Sequence, residues 1–106
     1  MITVIIKHPS QPPTTEQLDL GHDDGMQKFS EIVGGYFEMH HLFPDDPEVA
    51  FFCNEDGKRL GLASNFRLAM FDDMIQGAVV IFRRQDPDTA SLTDAQQKRI
   101  MEFFGG

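Results

Sequence analysis

Apolar and polar positions along this chain fall into short runs, and the period of each run predicts an element. Ile2 to Lys7 is rich in Ile, Val and Thr, the composition of a pleated, half-buried strand. Pro9, Pro12 and Pro13 then break regular structure. Glu16-Gln17-Leu18-Asp19-Leu20 predicts a second strand, antiparallel to the first. Met26, Phe29, Ile32 and Val33 recur at helical spacing, with Gln27, Lys28 and Glu31 on the opposite side. Asp23 or Asp24 is the expected N-cap, because its carboxylate accepts from the free N–H groups of a first turn. Gly34-Gly35 ends the helix, since glycine takes the left-handed C-terminal conformation without a Cβ clash.

Tyr36 to Phe43 predicts a strand closed by Pro44-Asp45-Asp46-Pro47, and Val49 to Cys53 a short apolar one. Asn54-Glu55-Asp56-Gly57 carries hairpin-turn chemistry, with Gly57 at positive φ and Lys58 to Leu60 returning as the partner strand. Residues 62–71 admit two readings: a short helix facing inward through Leu62, Phe66, Ala69 and Met70, or a structured loop. Ile75 to Arg83 predicts a central strand, because Val79-Val80-Ile81-Phe82 is apolar on both faces. Asp86-Pro87-Asp88 closes it. Thr93-Asp94-Ala95-Gln96 has the form of a capping box. Behind it, Ala95, Ile100, Met101 and Phe104 give a last helix its inward stripe. No repeat or linker interrupts the series. The expectation is one α+β domain over residues 1–106, a mostly antiparallel sheet with two helices packed against it.

Composition and charge narrow the function classes. A chain of 106 residues and 12.0 kDa has room for one core. Its usage, 25% charged and 41% hydrophobic, is that of a folded domain rather than a disordered one. Seventeen acids against nine Lys and Arg leave a formal charge of -8, which disfavours nucleic acid as a partner, because binding it needs a cationic footprint. No apolar run approaches the roughly 20 residues of a membrane span, and Met1-Ile2-Thr3-Val4 lacks the basic start of a secretory leader. The single cysteine, Cys53, fits a reducing cytoplasm. Ten phenylalanines and six methionines exceed what two helices and short strands would cover, so an exposed patch and a homo-oligomer are expected.

Catalytic and metal chemistry find little footing in the sequence. His40 and His41 are neighbours in a predicted strand and point to opposite faces, so they do not share an ion, and no metal or cofactor is expected. Cys53 follows two phenylalanines and behaves as a small hydrophobe. The acid pairs Asp23-Asp24, Asp45-Asp46, Glu55-Asp56 and Asp72-Asp73 sit at turns and element ends. No nucleophile elbow or phosphate loop is present, so the chain is expected not to be an enzyme and no catalytic residue is assigned. The basic residues are less scattered. Lys58-Arg59, Arg67 and Arg83-Arg84 surround the turn-rich middle and the end of the central strand. Arginine forks suit phosphate, and Tyr36, Phe52 or Phe66 offers a face on which a base stacks. Against this stands the ordinary role of phenylalanine in cores and of arginine on solvated faces.

In order along the chain, Glu31-Ile32-Val33-Gly34-Gly35-Tyr36-Phe37-Glu38, Cys53-Asn54-Glu55-Asp56-Gly57-Lys58, Leu60-Gly61-Leu62, Asn65, Ile75-Gln76-Gly77 and Ser91-Leu92-Thr93-Asp94 form a set. The set resembles a family of small uncharacterised domains carried by phages, prophages and conjugative elements, from about Met26 to Phe104. That family usually has a basic residue directly after its Asn; this chain has Phe66 there and Arg67 one position later. The family carries no agreed activity, and its setting implies a role in the contest between mobile element and host. A fainter resemblance is to phage sponge proteins of the anti-Thoeris kind, which sequester cyclic nucleotide-like immune signals. Together these imply a non-enzymatic, oligomeric binder of a small nucleotide signalling molecule. Arg67 and Arg83 or Arg84 would neutralise phosphate, Asn65 would read polar edges, and Phe52 or Tyr36 would stack. The alternative is an acidic anti-defence protein that inhibits a host protein by direct contact.

Overall fold

The β-branched run before Phe82 lies at the centre of the molecule. The computed structural model describes residues 1–68 and 72–105. The chain runs through β1 (Ile2–Lys7), β2 (Thr14–Leu18), a 3-10 turn at Gly21–Asp23, α1 (Met26–Val33), β3 (Phe37–Phe43) and β4 (Asp46–Asn54). It continues through β5 (Ser64–Leu68), β6 (Asp73–Gln76), β7 (Val79–Gln85), β8 (Asp88–Ala90) and α2 (Asp94–Phe103). The main sheet has the order β2-β1-β7-β4-β3, with β8 paired to the outer part of β7; β5 and β6 form a second, two-stranded sheet. All neighbours are antiparallel. The fold is α+β, as the hydrophobic pattern predicts.

Strand alternation divides the core in two. Ile5, Val49, Phe51, Val79 and Ile81 face one side, where they pack with Leu68 and Ile75 of the small sheet and with Ile100 of α2. Val4, Ala50, Val80 and Phe82 face the other, where Phe29 of α1 meets them. Burial on both faces is why Val79 to Phe82 reads as a continuous apolar run rather than an alternating one. β1 pairs with β7 only from Ile5 onward, and before it the chain beyond β8 takes over: Ser91 Oγ accepts from the Thr3 N–H at 2.9 Å, and the Leu92 N–H donates to Thr3 O at 2.9 Å.

Both helices are capped from the local sequence. Asp23 Oδ2 accepts the Gln27 N–H at 3.0 Å, so the expected acid does serve the first turn of α1, although the N-cap position is Gly25. Gly34 ends α1 at φ 84, its N–H bonded to Ser30 O. Thr93 and Gln96 form the reciprocal capping box of α2. Ala95, expected inward, is exposed; Gln96 takes the inward place and donates through Nε2 to Asp46 and Glu48 at the start of β4. Met101 and Phe104 pack against the core beside Ile100.

Four expectations in the middle of the chain fail for local reasons. Lys58 to Leu60 is not a strand: Asn54 Oδ1 accepts the Asp56 N–H at 2.8 Å and starts a run of helical-type turns through Gly61. Leu60 is exposed in those turns, so the segment has no apolar face with which to join a sheet. Gly57 is not at positive φ; its backbone lies close to another chain segment, so that a Cβ there would stand 3.1 Å from Gln76 O. Ser64 to Leu68 is neither helix nor loop but a strand, in which Phe66 and Leu68, two apart, turn inward. Ala69 and Met70 lie outside the described residues. Finally, Ile75 to Arg83 is not one strand. Gly77, at φ 83, splits it, sending β6 to pair with β5 and β7 into the main sheet.

Candidate functional site

The six residues expected to form a ligand site are not brought together. Asn65 is a clasp between the sheets: its Nδ2 donates to Lys7 O at 2.9 Å and Gly77 O at 2.8 Å, and its Oδ1 accepts from Lys7 Nζ at 3.1 Å. Arg67 is exposed on β5 and pairs with Asp72 at 2.7 Å. Arg84 pairs with Asp86 at 2.7 Å and approaches His41 Nε2 at 3.4 Å. Tyr36 stands in solvent, 80% exposed, between α1 and β3. Phe52 packs against Phe29, Phe37 and Phe82 with ring centroids 4.9, 4.6 and 4.5 Å away. Arg83 donates through Nε to Ser91 O at 2.7 Å. Arg59, Arg67, Arg84 and Arg99 each hold an aspartate, and among the described residues Arg83 alone of the five arginines has no carboxylate partner.

Phe52 and Arg83 do share one feature. A groove of about 600 Å³ runs from the start of α1 to the β7–β8 hairpin, and both residues line it. Met26, Phe29 and Phe37 add apolar wall, while Asp24 and Asp88 add carboxylates. Phe37 and Phe52 are only partly buried, so ring surface faces the groove. Such a surface takes a flat aromatic group, a guanidinium takes an anion, and carboxylates accept from hydroxyls.

A second concave place lies beneath the turns that follow β4. Glu38 and His40, two apart on β3, point to the same face, and Cys53 of β4 lies directly opposite Glu38 in the register. His40 Nε2 is 3.3 Å from Glu38 Oε1. The ligating atoms of Glu38, His40 and Cys53 all fall within 4.8 Å of one another. They border a cleft of about 270 Å³ whose far wall is β6, with Asp73 and Gln76. Lys58, from the turns, pairs with Asp73, and this hydrogen bond holds the Asp73 carboxyl below the usual carboxylate range. Burial pushes the Cys53 thiol up to about 12, and the negative charges of Glu38 and Asp73 add to the effect. Gln76 Oε1 is buried with no hydrogen-bond partner among the described residues.

Residues 2–105 match a family described as a domain of unknown function, DUF3846. The chain belongs to the DUF3846 family. No curated protein and no solved structure matches it. The sequence of this DUF3846 domain carried part of the second cleft's signal: Glu38 and His40 are spaced to share a strand face, whereas the adjacent His40-His41 pair drew attention away from it. Cys53 enters only through the β3–β4 register, which no local motif announces.

Proposed function

We propose that the protein is a non-catalytic binder that sequesters a small nucleotide-type signal in the groove between α1 and the β7–β8 hairpin. The observation that supports this is the coincidence of Arg83, which has no carboxylate partner among the described residues, with the partly exposed rings of Phe37 and Phe52 on one groove. In this reading a nucleobase stacks on the rings, phosphate meets the guanidinium, and Asp24 and Asp88 accept from sugar hydroxyls. Of the other expected residues, Asn65 holds the sheets together, Arg67 and Arg84 answer aspartates, and Tyr36 stands in solvent outside this groove. Sequestration of an immune signal for a phage or other mobile element is the biological role that goes with such a site.

Isothermal titration against cyclic dinucleotides and cyclic ADP-ribose isomers tests it. Binding is expected to weaken with salt. Arg83→Glu should weaken it by tenfold or more, and Arg83→Lys by less, because lysine keeps the charge and loses only the fork. Heat should release the ligand unaltered. Silence across the panel would overturn the reading in favour of a second one, direct inhibition of a host protein. That alternative rests on Met26 and Tyr36, 59% and 80% exposed, which border one apolar hollow on a chain of net charge -8.

A further inference from the structure

We propose that Glu38, His40 and Cys53 form a binding site for a borderline-soft divalent cation, zinc above all, with the fourth position open to the cleft under β6. The three side chains offer one oxygen, one nitrogen and one sulfur, the mixed donor set that suits zinc and excludes magnesium and calcium, which take oxygen ligands. Bonds of about 2.0–2.3 Å place the ligating atoms of a tetrahedral zinc about 3.3–3.8 Å apart. Here they lie within 4.8 Å, with His40 Nε2 and Glu38 Oε1 already at 3.3 Å, so side-chain rotation alone closes the set. The platform is rigid, because two ligands share one strand face and the third is held across a paired register, with Cys53 buried to 4% exposure. The cleft also holds an unpartnered acceptor: Gln76 Oε1, of a residue on its wall, is buried with no donor among the described residues. A water on the open position of the ion would supply that donor. Asp73 lines the same cleft, its charge balanced by Lys58. On ligation the Cys53 S–H bond gives way to an S–metal bond and the proton leaves to solvent, so no redox partner is needed.

The test is cobalt and zinc titration of the full chain after chelator treatment and dialysis. One equivalent of Co²⁺ should produce a thiolate-to-cobalt charge-transfer band with visible d–d bands, and Zn²⁺ should abolish both, while Mg²⁺ and Ca²⁺ leave them in place. Cys53→Ser should remove the charge-transfer band. His40→Ala should weaken Co²⁺ binding by tenfold or more, and His8→Ala, which lies outside the cluster, should leave it unchanged. If Cys53→Ser does not fold, Glu38→Gln and His40→Ala decide, since both residues lie outside the buried core. Absence of the charge-transfer band in the wild type, or an affinity indifferent to His40→Ala, would overturn the site. Nucleotide binding in the other groove uses none of these residues, so either proposal stands or falls without the other.

Discussion

Gly57 shows how a residue can be important for a reason other than the one its sequence context suggests. Asp56-Gly57 has the form of a hairpin turn that needs positive φ, yet the backbone there is ordinary and the constraint is space: a Cβ would stand 3.1 Å from Gln76 O and 3.4 Å from Asn54 O. Both neighbours are main-chain atoms, so they yield only if β4 or β6 moves. Gly57→Ala should therefore destabilise by about 1–3 kcal/mol, the usual cost of overpacking. Gly57→Asn should be at least as harmful, whereas at a positive-φ position asparagine would be the milder change. Urea denaturation of the two variants separates the accounts. The same residue-level limit applies to Asn65 and Phe52. Their types were legible as polar reader and aromatic platform, but whether an amide faces a ligand or two backbone carbonyls depends on which strands cross, and that is tertiary information.

At the scale of elements, α2 is fastened to the β3–β4 hairpin by the Gln96 hydrogen bonds and by a two-part contact of Arg99. Arg99 forms a forked pair with Asp45, at 2.7 and 3.0 Å, while its guanidinium lies over the Phe43 ring at 3.9 Å. The hydrogen bond from Arg99 holds the Asp45 carboxyl below its usual range. A lowered folded-state pKa contributes stability above the unfolded carboxylate range and loses it as pH falls through the folded value. Asp45→Asn should thus lower the denaturation midpoint at pH 7, by a margin that shrinks as pH falls toward 3. Arg99→Ala should lower it at both, because stacking on Phe43 does not titrate. Denaturant melts of both variants at the two pH values check this. Element type was well predicted where patterning and capping agreed, as in β1, α1, β3 and α2. It failed between residues 55 and 77, where a side-chain acceptor on Asn54 started helical turns and Gly77 divided an apolar run between two sheets. Hydrophobic period does not register either event.

For the molecule as a whole, the two faces of the sheet depend on different cover. One is closed by α1; the other needs α2 and the β5–β6 sheet together. Deleting residues 92–106 removes buried Leu92 and Ile100, and with them the packing of Met101 and Phe104. The two buried side chains alone are worth about 3–6 kcal/mol, a large part of the roughly 5–15 kcal/mol that holds a small domain folded. The truncated chain should keep far-ultraviolet dichroism but lose its near-ultraviolet signal and cooperative melting. A sharp near-ultraviolet spectrum would show α2 to be peripheral. Fold class was readable at this scale because the central strand, the two helices and the turn residues agreed. The two concave sites were not, since each is assembled from segments distant in sequence.

The placement of β1 also has a consequence in time. Its inner neighbour is β7, with Ile5 opposite Ile81, and its first residues are locked by Ser91 and Leu92. During synthesis β1 emerges long before either, with only β2 to pair with. Its inner edge, an apolar strand from Ile2 to Ile6, waits unpaired until nearly the whole domain has left the ribosome. Loop closure over that span must precede the contacts that reward it, which makes the last pairing slow and the waiting edge the place where nascent chains would find one another.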